Sequence, residues 1–460
     1  MSILSAIFDA NKVYNFEQAF GVKDITTSDM KLAIKDWYSL YYNNVADENE
    51  DPSQRLPIAI VSKLYKAMFS EYKATATVTH SEFIDDVVNA LNAVRKKATQ
   101  QMLIGGSCFI KPLLTKPVVF GVINRQNYVT LARDSNGRIT DIGTAEQTRE
   151  GSVTYTLLER RTVDALGYLS IESRLYRSTD GVTLGTEVPL RTLEKYASLE
   201  PLVRLPEPVF SVGLIPFTSP GENCVDGSQD AVSVYAAAAG LIHNINHNEA
   251  QLNTEFENGR SRIIVSEDML SRGADGKKRL TDTLFTAVDE QPDEVGITIF
   301  SPALREQSFL NRKSEYLRNI ESLIGLKRGL LSEVEAAERT ATEITSSAGE
   351  YNLTLIDFQQ EWEKTVREAV RLCSILASIY KLADAAGADP AKDISISWGN
   401  GILYDEDKVW TDYKSMAAAN LLKPEIAVGW YFDMPTETDG DLAKIRQKYM
   451  PTNENIDGEV

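Results

Sequence analysis

The strongest helical pattern in this chain lies in ERTATEITSSAGEYNLTLIDFQQEWEKTVREAVRLC, residues 338–373. Two rows of mostly apolar residues repeat every seven positions in and just beyond it: Leu355, Trp362, Ala369, Leu376 and Phe358, Thr365, Leu372, Ile379. This spacing predicts one helix from about Ala341 to Ala386, roughly 60 Å long. Because helices in globular proteins average about 12 residues, the pattern predicts an elongated subunit that buries this helix against neighbouring copies.

Two further helices are predicted immediately upstream. The first is expected from about Gln229 to Asn258 and the second from about Leu304 to Ile324, because apolar residues recur at helical spacing in both. Gly325 is expected to end the second helix, since glycine is the commonest residue after a helix C-terminus. A loop over residues 326–339 then leads to the long helix.

Between these two helices, RSRIIVS (260–266) and VGITIFS (295–301) predict two strands that flank a charged insertion. Basic residues gather near the first strand and acidic residues before the second: Arg260, Arg262, Arg272, Lys277, Lys278, Arg279 and Asp289, Glu290, Asp293, Glu294. Two interpretations stay open. The insertion is either a solvated hairpin of mixed charge or a protruding tip that docks an oppositely charged partner.

The rest of the chain predicts helices followed by a β-rich region. Helical spacing appears in residues 28–44, 56–72 and 82–105, and Gly105 and Gly106 end the third helix. Residues 108–215 contain short β-rich runs between turn signals, which predict an antiparallel sheet, and 206–224 reads as a Pro- and Gly-rich traverse. One more strand is expected at 393–399, followed by two short helices. The fold class is therefore α+β.

Composition excludes several classes of protein. The chain has 460 residues, with 48 Lys and Arg against 66 Asp and Glu, so its net charge is −18. That charge excludes wrapping of DNA or anionic membrane by the whole surface. Cys108, Cys224 and Cys373 are too few and too far apart for a disulfide framework or a zinc cluster. No signal peptide or membrane-spanning stretch is evident, so we expect a soluble protein made in the cytoplasm.

Motifs for catalysis are weak. GADGKKR (273–279) has the wrong spacing for a phosphate-binding loop. His243 and His247 lie four residues apart, but Asn244 stands where a zinc protease has glutamate. Glu249 or Glu255 could complete a metal site in principle; the alternative is a solvated or interfacial pair. We predict no catalytic, cofactor or metal residues.

Four collinear segments carry a resemblance to a known family. They are ERTATEITSSAGEYNLTLIDFQQEWEKTVREAVRLC (338–373), ALNAVRKKATQQMLIGGSCFIKP (90–112), DGSQDAVSVYAAAAGLIHNINHNEAQLNTEFENGRSRIIV (226–265) and WGNGILYDEDK (398–408). In this order they resemble the portal (head–tail connector) proteins of tailed bacteriophages, of the minor-capsid type common in long-tailed phages. The similarity spans most of the chain.

The resemblance implies a portal-protein fold with an α/β wing, a two-helix stem, an α/β clip, a tunnel loop, a very long wing helix and a small helical crown. By position, the regions are wing 1–225, first stem helix 226–258, clip 259–303, second stem helix 304–325, tunnel loop 326–339, long helix with return wing strand 340–411, and crown 412–460.

The resemblance also implies a function without enzymatic activity and without a cofactor. Dodecameric rings of the protein would sit at one capsid vertex of the virion, after assembly in the host cytoplasm, and pass double-stranded DNA during packaging and ejection. Implied partners are the large terminase subunit, a head–tail adaptor, and the major capsid and scaffold proteins, with no membrane. Because the chain lacks a phosphate-binding loop, any ATP-driven force on the DNA must come from a partner protein. The alternatives are another oligomeric virion protein, of the tail or baseplate, and a metal-dependent hydrolase.

Two sets of residues are candidates for this function. Lys327 and Arg328 directly precede Gly329 in the tunnel loop, where they either match a helix dipole or make transient phosphate contacts. The candidates for partner docking in the clip are Arg272, Lys277, Lys278, Arg279, Asp289 and Glu290.

Overall fold

The structure, a computed structural model, describes residues 15–42, 52–77, 81–114, 118–180, 183–259, 262–265, 270–272, 278–280, 297–300, 303–332, 341–382, 388–398, 406–419, 421–432, 434–436 and 438–450. The chain forms two compact units, Met1–Gly399 and Asn400–Val460. Helices and antiparallel sheets are both abundant, so the α+β fold class is confirmed.

The first unit combines helices with short and long strands. Its helices are α1 (Phe16–Phe20), α2 (Ser28–Tyr42), α3 (Leu56–Met68), α4 (Ser81–Gly105), α5 (Ala239–Asn258), α6 (Glu306–Ile324) and α7 (Ala341–Ile379). Its strands are β1 (Lys73–Ala76), β2 (Ser107–Leu113), β3 (Val119–Ile123), β4 (Tyr128–Arg133), β5 (Ile139–Glu150), β6 (Val153–Val163), β7 (Tyr168–Ser178), β8 (Thr186–Val188), β9 (Leu202–Pro208), β10 (Ile215–Thr218), β11 (Arg262–Val265), β12 (Leu270–Arg272), β13 (Lys278–Leu280), β14 (Ile297–Phe300) and β15 (Ile394–Ser397).

The main core lies between α4 and the long helix α7. α4 packs against α2, α3, α7 and the strands β2 and β3. Trp362 of α7 is fully buried, and its ring makes edge-on contacts with Phe69 and Phe217, at centroid distances of 5.6 and 5.0 Å. Such pairs add about 0.5–1.5 kcal/mol each beyond the burial of apolar area.

The seven-residue rows of the long helix are buried inside its own subunit. Leu355, Trp362 and Ala369 all lie in the main core, because α7 packs against α3, α4, β9 and β10. The expectation that this stripe packs against neighbouring copies is therefore wrong. The helix also ends at Ile379, before the predicted Ala386. Lys381 adopts a left-handed φ of 59°, and the N–H of Leu382 donates to the carbonyl of Ala377, which closes the helix with a Schellman motif.

The described strands form five antiparallel sheets in this unit, and three of them lie outside the charged insertion and its flanking strands. The largest has the order β4-β5-β6-β7-β8, with β9 paired to β7; the second has the order β10-β2-β3. The third joins β1 to β15, two strands from distant parts of the chain. The predicted Pro- and Gly-rich traverse contains the strand β10 with Pro216 inside it. This is tolerated because β10 is an edge strand, paired only to β2 within the described residues.

The first of the two helices predicted upstream of α7 begins later than the sequence suggests. α5 starts at Ala239, whereas the pattern suggested about Gln229. The preceding segment bonds to the end of α4 instead, because the Ser233 hydroxyl and the Val234 N–H both donate to the carbonyl of Leu103. Tertiary hydrogen bonds therefore replace the first turns of the predicted helix.

The strands around the charged insertion pair as expected. β11 pairs antiparallel with β14, which confirms the two predicted strands. Within the insertion, β12 and β13 form a second antiparallel pair that the sequence did not predict.

The second unit contains α8 (Glu406–Ala418), α9 (Pro424–Tyr431) and α10 (Asp439–Tyr449), of which α10 was not predicted. α9 packs against both others, around the buried side chains of Ala427, Leu442 and Ile445. This unit includes all of α8, which crosses the boundary at residue 412 that the sequence suggests for the crown. None of the helices described here or in the first unit is both long and apolar enough to cross a bilayer.

Candidate functional site

Helices α5 and α6 form an antiparallel hairpin. At one end, Arg305 contacts Glu255 through two hydrogen bonds of 2.7 and 3.0 Å, and this contact lowers the pKa of Glu255. Further along, Lys313 pairs with Glu249 at 3.0 Å, and the side-chain amide of Asn248 donates to the carbonyl of Phe309. Polar contacts thus fix the register of the two helices where few apolar residues are available.

The segment that leads from this hairpin towards α7 begins at the end of α6. Gly325 takes a left-handed φ of 71°, and the N–H of Leu326 donates to the carbonyl of Glu321 at 2.8 Å. This is a Schellman motif, and the buried side chain of Leu326 supplies its usual apolar contact. A Cβ at Gly325 would lie 2.4 Å from the hydroxyl of Thr354 in α7, so the chain passes close to the long helix here.

A tight turn follows at once. The N–H of Leu330 donates to the carbonyl of Lys327 at 3.2 Å, and Gly329 has a φ of 90°. A positive φ at the third residue is what a type II turn requires. Lys327 is partly exposed and Arg328 is exposed at this turn. The structure therefore brings the two predicted loop cations together on one turn.

A buried carboxylate holds the far side of the turn. Glu321 has no exposed surface, and its carboxylate accepts hydrogen bonds from the N–H groups of Gly329 (3.1 Å), Leu331 and Ser332 (2.9 Å) and from the Ser332 hydroxyl (2.8 Å). The charge is compensated by these donors, as a buried carboxylate requires.

A second contact reaches the same segment from α3. The ammonium group of Lys63 donates to the carbonyl of Leu330. Residues 326–332 are therefore connected to α3 and α6 by hydrogen bonds, and Gly325 directly before them lies close to α7. We define these residues as the loop base.

The clip candidates are only partly within the described residues. Arg272 and Lys278 are direct backbone partners in the β12–β13 pair, and Arg279 is opposite Ser271. Lys277, Asp289 and Glu290 lie outside the described residues, as does the remainder of the predicted tunnel loop, residues 333–339.

Sequence reasoning missed Glu321 and Lys63. One signal was available for Glu321: it lies in the last turn of its helix, where exposed carbonyl groups disfavour a negative charge. Nothing local in the sequence marks Lys63, because its partner is 267 residues away.

The possible metal site does not assemble. His243 bonds to Asp36 at 2.9 Å, and His247 contacts the amide of Gln251 at 3.0 Å. The two acids that could complete the site instead form ion pairs, Glu255 with Arg305 just before α6 and Glu249 with Lys313 within it. Among the described residues, no three potential metal ligands cluster.

Comparison with known proteins adds a family match. The family model described as "Phage portal protein, SPP1 Gp6-like" matches residues 88–448. One similar solved structure is described as "Neck of native GTA particle computed with C12 symmetry"; the match has 14% sequence identity and a TM-score of 0.43, and it covers 89% of this chain and 95% of that chain. No curated protein sequence matches the chain.

Proposed function

The chain belongs to the SPP1 Gp6-like family of phage portal proteins, and on that premise we propose that it forms a ring through which double-stranded DNA enters and leaves a capsid. Proteins of this family are head–tail connectors and structural components of the virion. The proposed assembly is a dodecameric ring at a single capsid vertex.

The observation that carries this proposal is the order of elements around the hairpin. α5 leads into the paired strands β11 and β14, α6 returns from them, and the loop base then leads to the 39-residue helix α7. A helical hairpin between a small strand module and a helix-supported loop suits a subunit whose copies line a channel.

The regions of the proposed ring follow the sequence boundaries. They are wing 1–225, first stem helix 226–258, clip 259–303, second stem helix 304–325, tunnel loop 326–339, long helix with return wing strand 340–411, and crown 412–460. The wing would contact the major capsid and scaffold proteins. The clip would dock the large terminase subunit during packaging and an adaptor afterwards.

Charge supports transport of DNA rather than stable binding. Each subunit carries a net charge of −18, and a ring multiplies that charge around the channel. Like charge repels the phosphate backbone and prevents DNA from adhering. Lys327 and Arg328 are the proposed points of brief, salt-sensitive phosphate contact.

The test of this role is the double substitution Lys327→Ala with Arg328→Ala. We expect ring assembly, measured by native mass, to be unchanged, and the amount or retention of packaged DNA to fall. The matched control is Lys23→Ala with Lys392→Ala, since it removes the same number of surface cations, 77% and 82% exposed, outside the loop. Loss of the ring in the loop variant alone would assign the two cations a structural role instead.

The clip has its own test. Neutralising Lys277, Lys278 and Arg279 should weaken binding of the terminase or adaptor if the charged insertion is a docking tip. Unchanged binding would favour the solvated hairpin. The remaining alternative, a tail or baseplate protein, is separated by labelling: a portal appears at one capsid vertex and nowhere along the tail.

A further inference from the structure

The Glu321 carboxylate has an orientation that only the loop base explains. It lies in the last turn of α6, where the helix dipole disfavours it, and it is completely buried. Its donors are three backbone N–H groups and one hydroxyl, all from Gly329, Leu331 and Ser332. Hydrogen bonds to an ionised acceptor are stronger than neutral ones. The side chain therefore joins the helix to one specific conformation of the following chain.

One more contact restricts the same segment from another element. The Lys63 ammonium group bonds to the Leu330 carbonyl from α3. Gly325, which directly precedes the loop base, lies beside α7, because a Cβ there would lie 2.4 Å from the Thr354 hydroxyl. Hydrogen bonds from two helices thus hold the loop base, and its first residue follows a close approach to a third.

The two loop cations lie between these restraints. Lys327 and Arg328 follow the Schellman motif at Gly325 and precede Gly329, whose N–H is bound by Glu321. Both ends of their turn are therefore fixed to the body of the subunit. Resting on the proposed function, we infer that Glu321 and Lys63 are positioning residues: they hold residues 326–332 as a fixed platform from which Lys327 and Arg328 reach the passing DNA.

Hydrogen exchange of the assembled full-length protein tests the platform directly. In Glu321→Ala, we expect the amides of residues 329–332 to exchange about tenfold faster or more, because each loses or neighbours a charge-assisted bond. Amides of α6 and the thermal midpoint of the ring should stay close to those of the control, Glu315→Ala, an exposed acid on the same helix.

Two companion variants keep the test informative if Glu321→Ala assembles poorly. Glu321→Gln retains the volume and one acceptor oxygen and should give a smaller increase in exchange. Lys63→Met removes only the bond to Leu330 and should raise exchange near that residue. If none of these variants alters exchange in residues 329–332 relative to Glu315→Ala, the platform does not exist.

A double-mutant comparison tests the link to DNA. If the platform delivers the cations, Lys327→Ala with Arg328→Ala should reduce DNA retention strongly in the native background and far less in Glu321→Ala, since interacting sites are not additive. Equal reductions in both backgrounds would overturn the positioning role. A third result would be faster exchange in Glu321→Ala with no effect of the cation substitutions on DNA in either background. That result would refute the proposed DNA contact, because Glu321 would then hold the loop base without presenting cations to DNA.

Discussion

Gly106 lies between α4 and β2, against the segment that precedes α5, and its replacement by alanine should destabilise the subunit strongly. It follows α4, precedes β2 and has a φ of 82°. A Cβ there would lie 2.4 Å from the backbone oxygen of Ala231 and 2.6 Å from the backbone nitrogen of Val232. Backbone atoms cannot rotate away as a flexible side chain can. Gly151→Ala is the matched control, because Gly151 also has a positive φ, 59°, but faces open space.

The magnitude follows from two costs. The left-handed conformation costs an L-residue about 1–2 kcal/mol, and both variants incur it. Forcing a methyl group into a closely packed contact costs about 1–3 kcal/mol more, and only Gly106→Ala incurs that. The free energy of unfolding should therefore fall by about 2–5 kcal/mol in Gly106→Ala and by about 1–2 kcal/mol in Gly151→Ala.

Urea unfolding of the unassembled subunit, followed by far-ultraviolet circular dichroism, measures this difference. The midpoint should fall further in Gly106→Ala than in Gly151→Ala, with the slope unchanged. Equal midpoints in the two variants would refute the reasoning, because the close approach to Ala231 would then carry no energetic weight.

Acid and thiol chemistry offer two more predictions. A hydrogen bond from the Thr27 hydroxyl is the main reason that the pKa of Asp226 falls to about 2. The resulting stabilisation of the folded state is complete above about pH 4 and is lost as the pH falls towards about 2. Urea midpoints of Asp226→Asn should therefore decline less between about pH 5 and pH 3 than those of the native chain. Among the thiols, Cys224 is exposed, whereas burial raises the pKa of Cys373 to about 12 and that of Cys108 further; an aromatic disulfide reagent should label Cys224 alone in the native protein and all the thiols in denaturant.

Much of the fold was predictable because its signals are local. Glycine marks the C-terminal end of two helices: α4 ends at Gly105, and Gly325 directly follows α6. The strands β11 and β14 stand out as β-branched runs beside charged stretches. These features depend on neighbouring residues, which a single sequence displays directly.

The failures came from contacts between distant residues. Residues 229–238 have a helical pattern, but hydrogen bonds to Leu103 hold part of them in another conformation. The apolar rows of α7 correctly predicted that this face of the helix is buried. They did not show whether the same subunit or a neighbouring copy covers it, because periodicity reveals only that a face is buried. At the candidate site, Lys327 and Arg328 were visible in the sequence. Glu321 and Lys63 were not, because their hydrogen bonds to the loop base form only when the chain is folded.

The β1–β15 sheet sets an order of events for the subunit's own synthesis. The Thr77 hydroxyl at the end of β1 bonds to the carbonyl of Lys392, 315 residues later, and the Tyr72 and Trp398 rings meet at 4.8 Å. At roughly 5–20 residues per second on the ribosome, β1 therefore waits tens of seconds for its partner strand. A chain that stops before Ile394 leaves the edge of β1 without this partner, and such an edge is a template for pairing with another chain. The β1–β15 sheet therefore forms only once synthesis has passed Ser397.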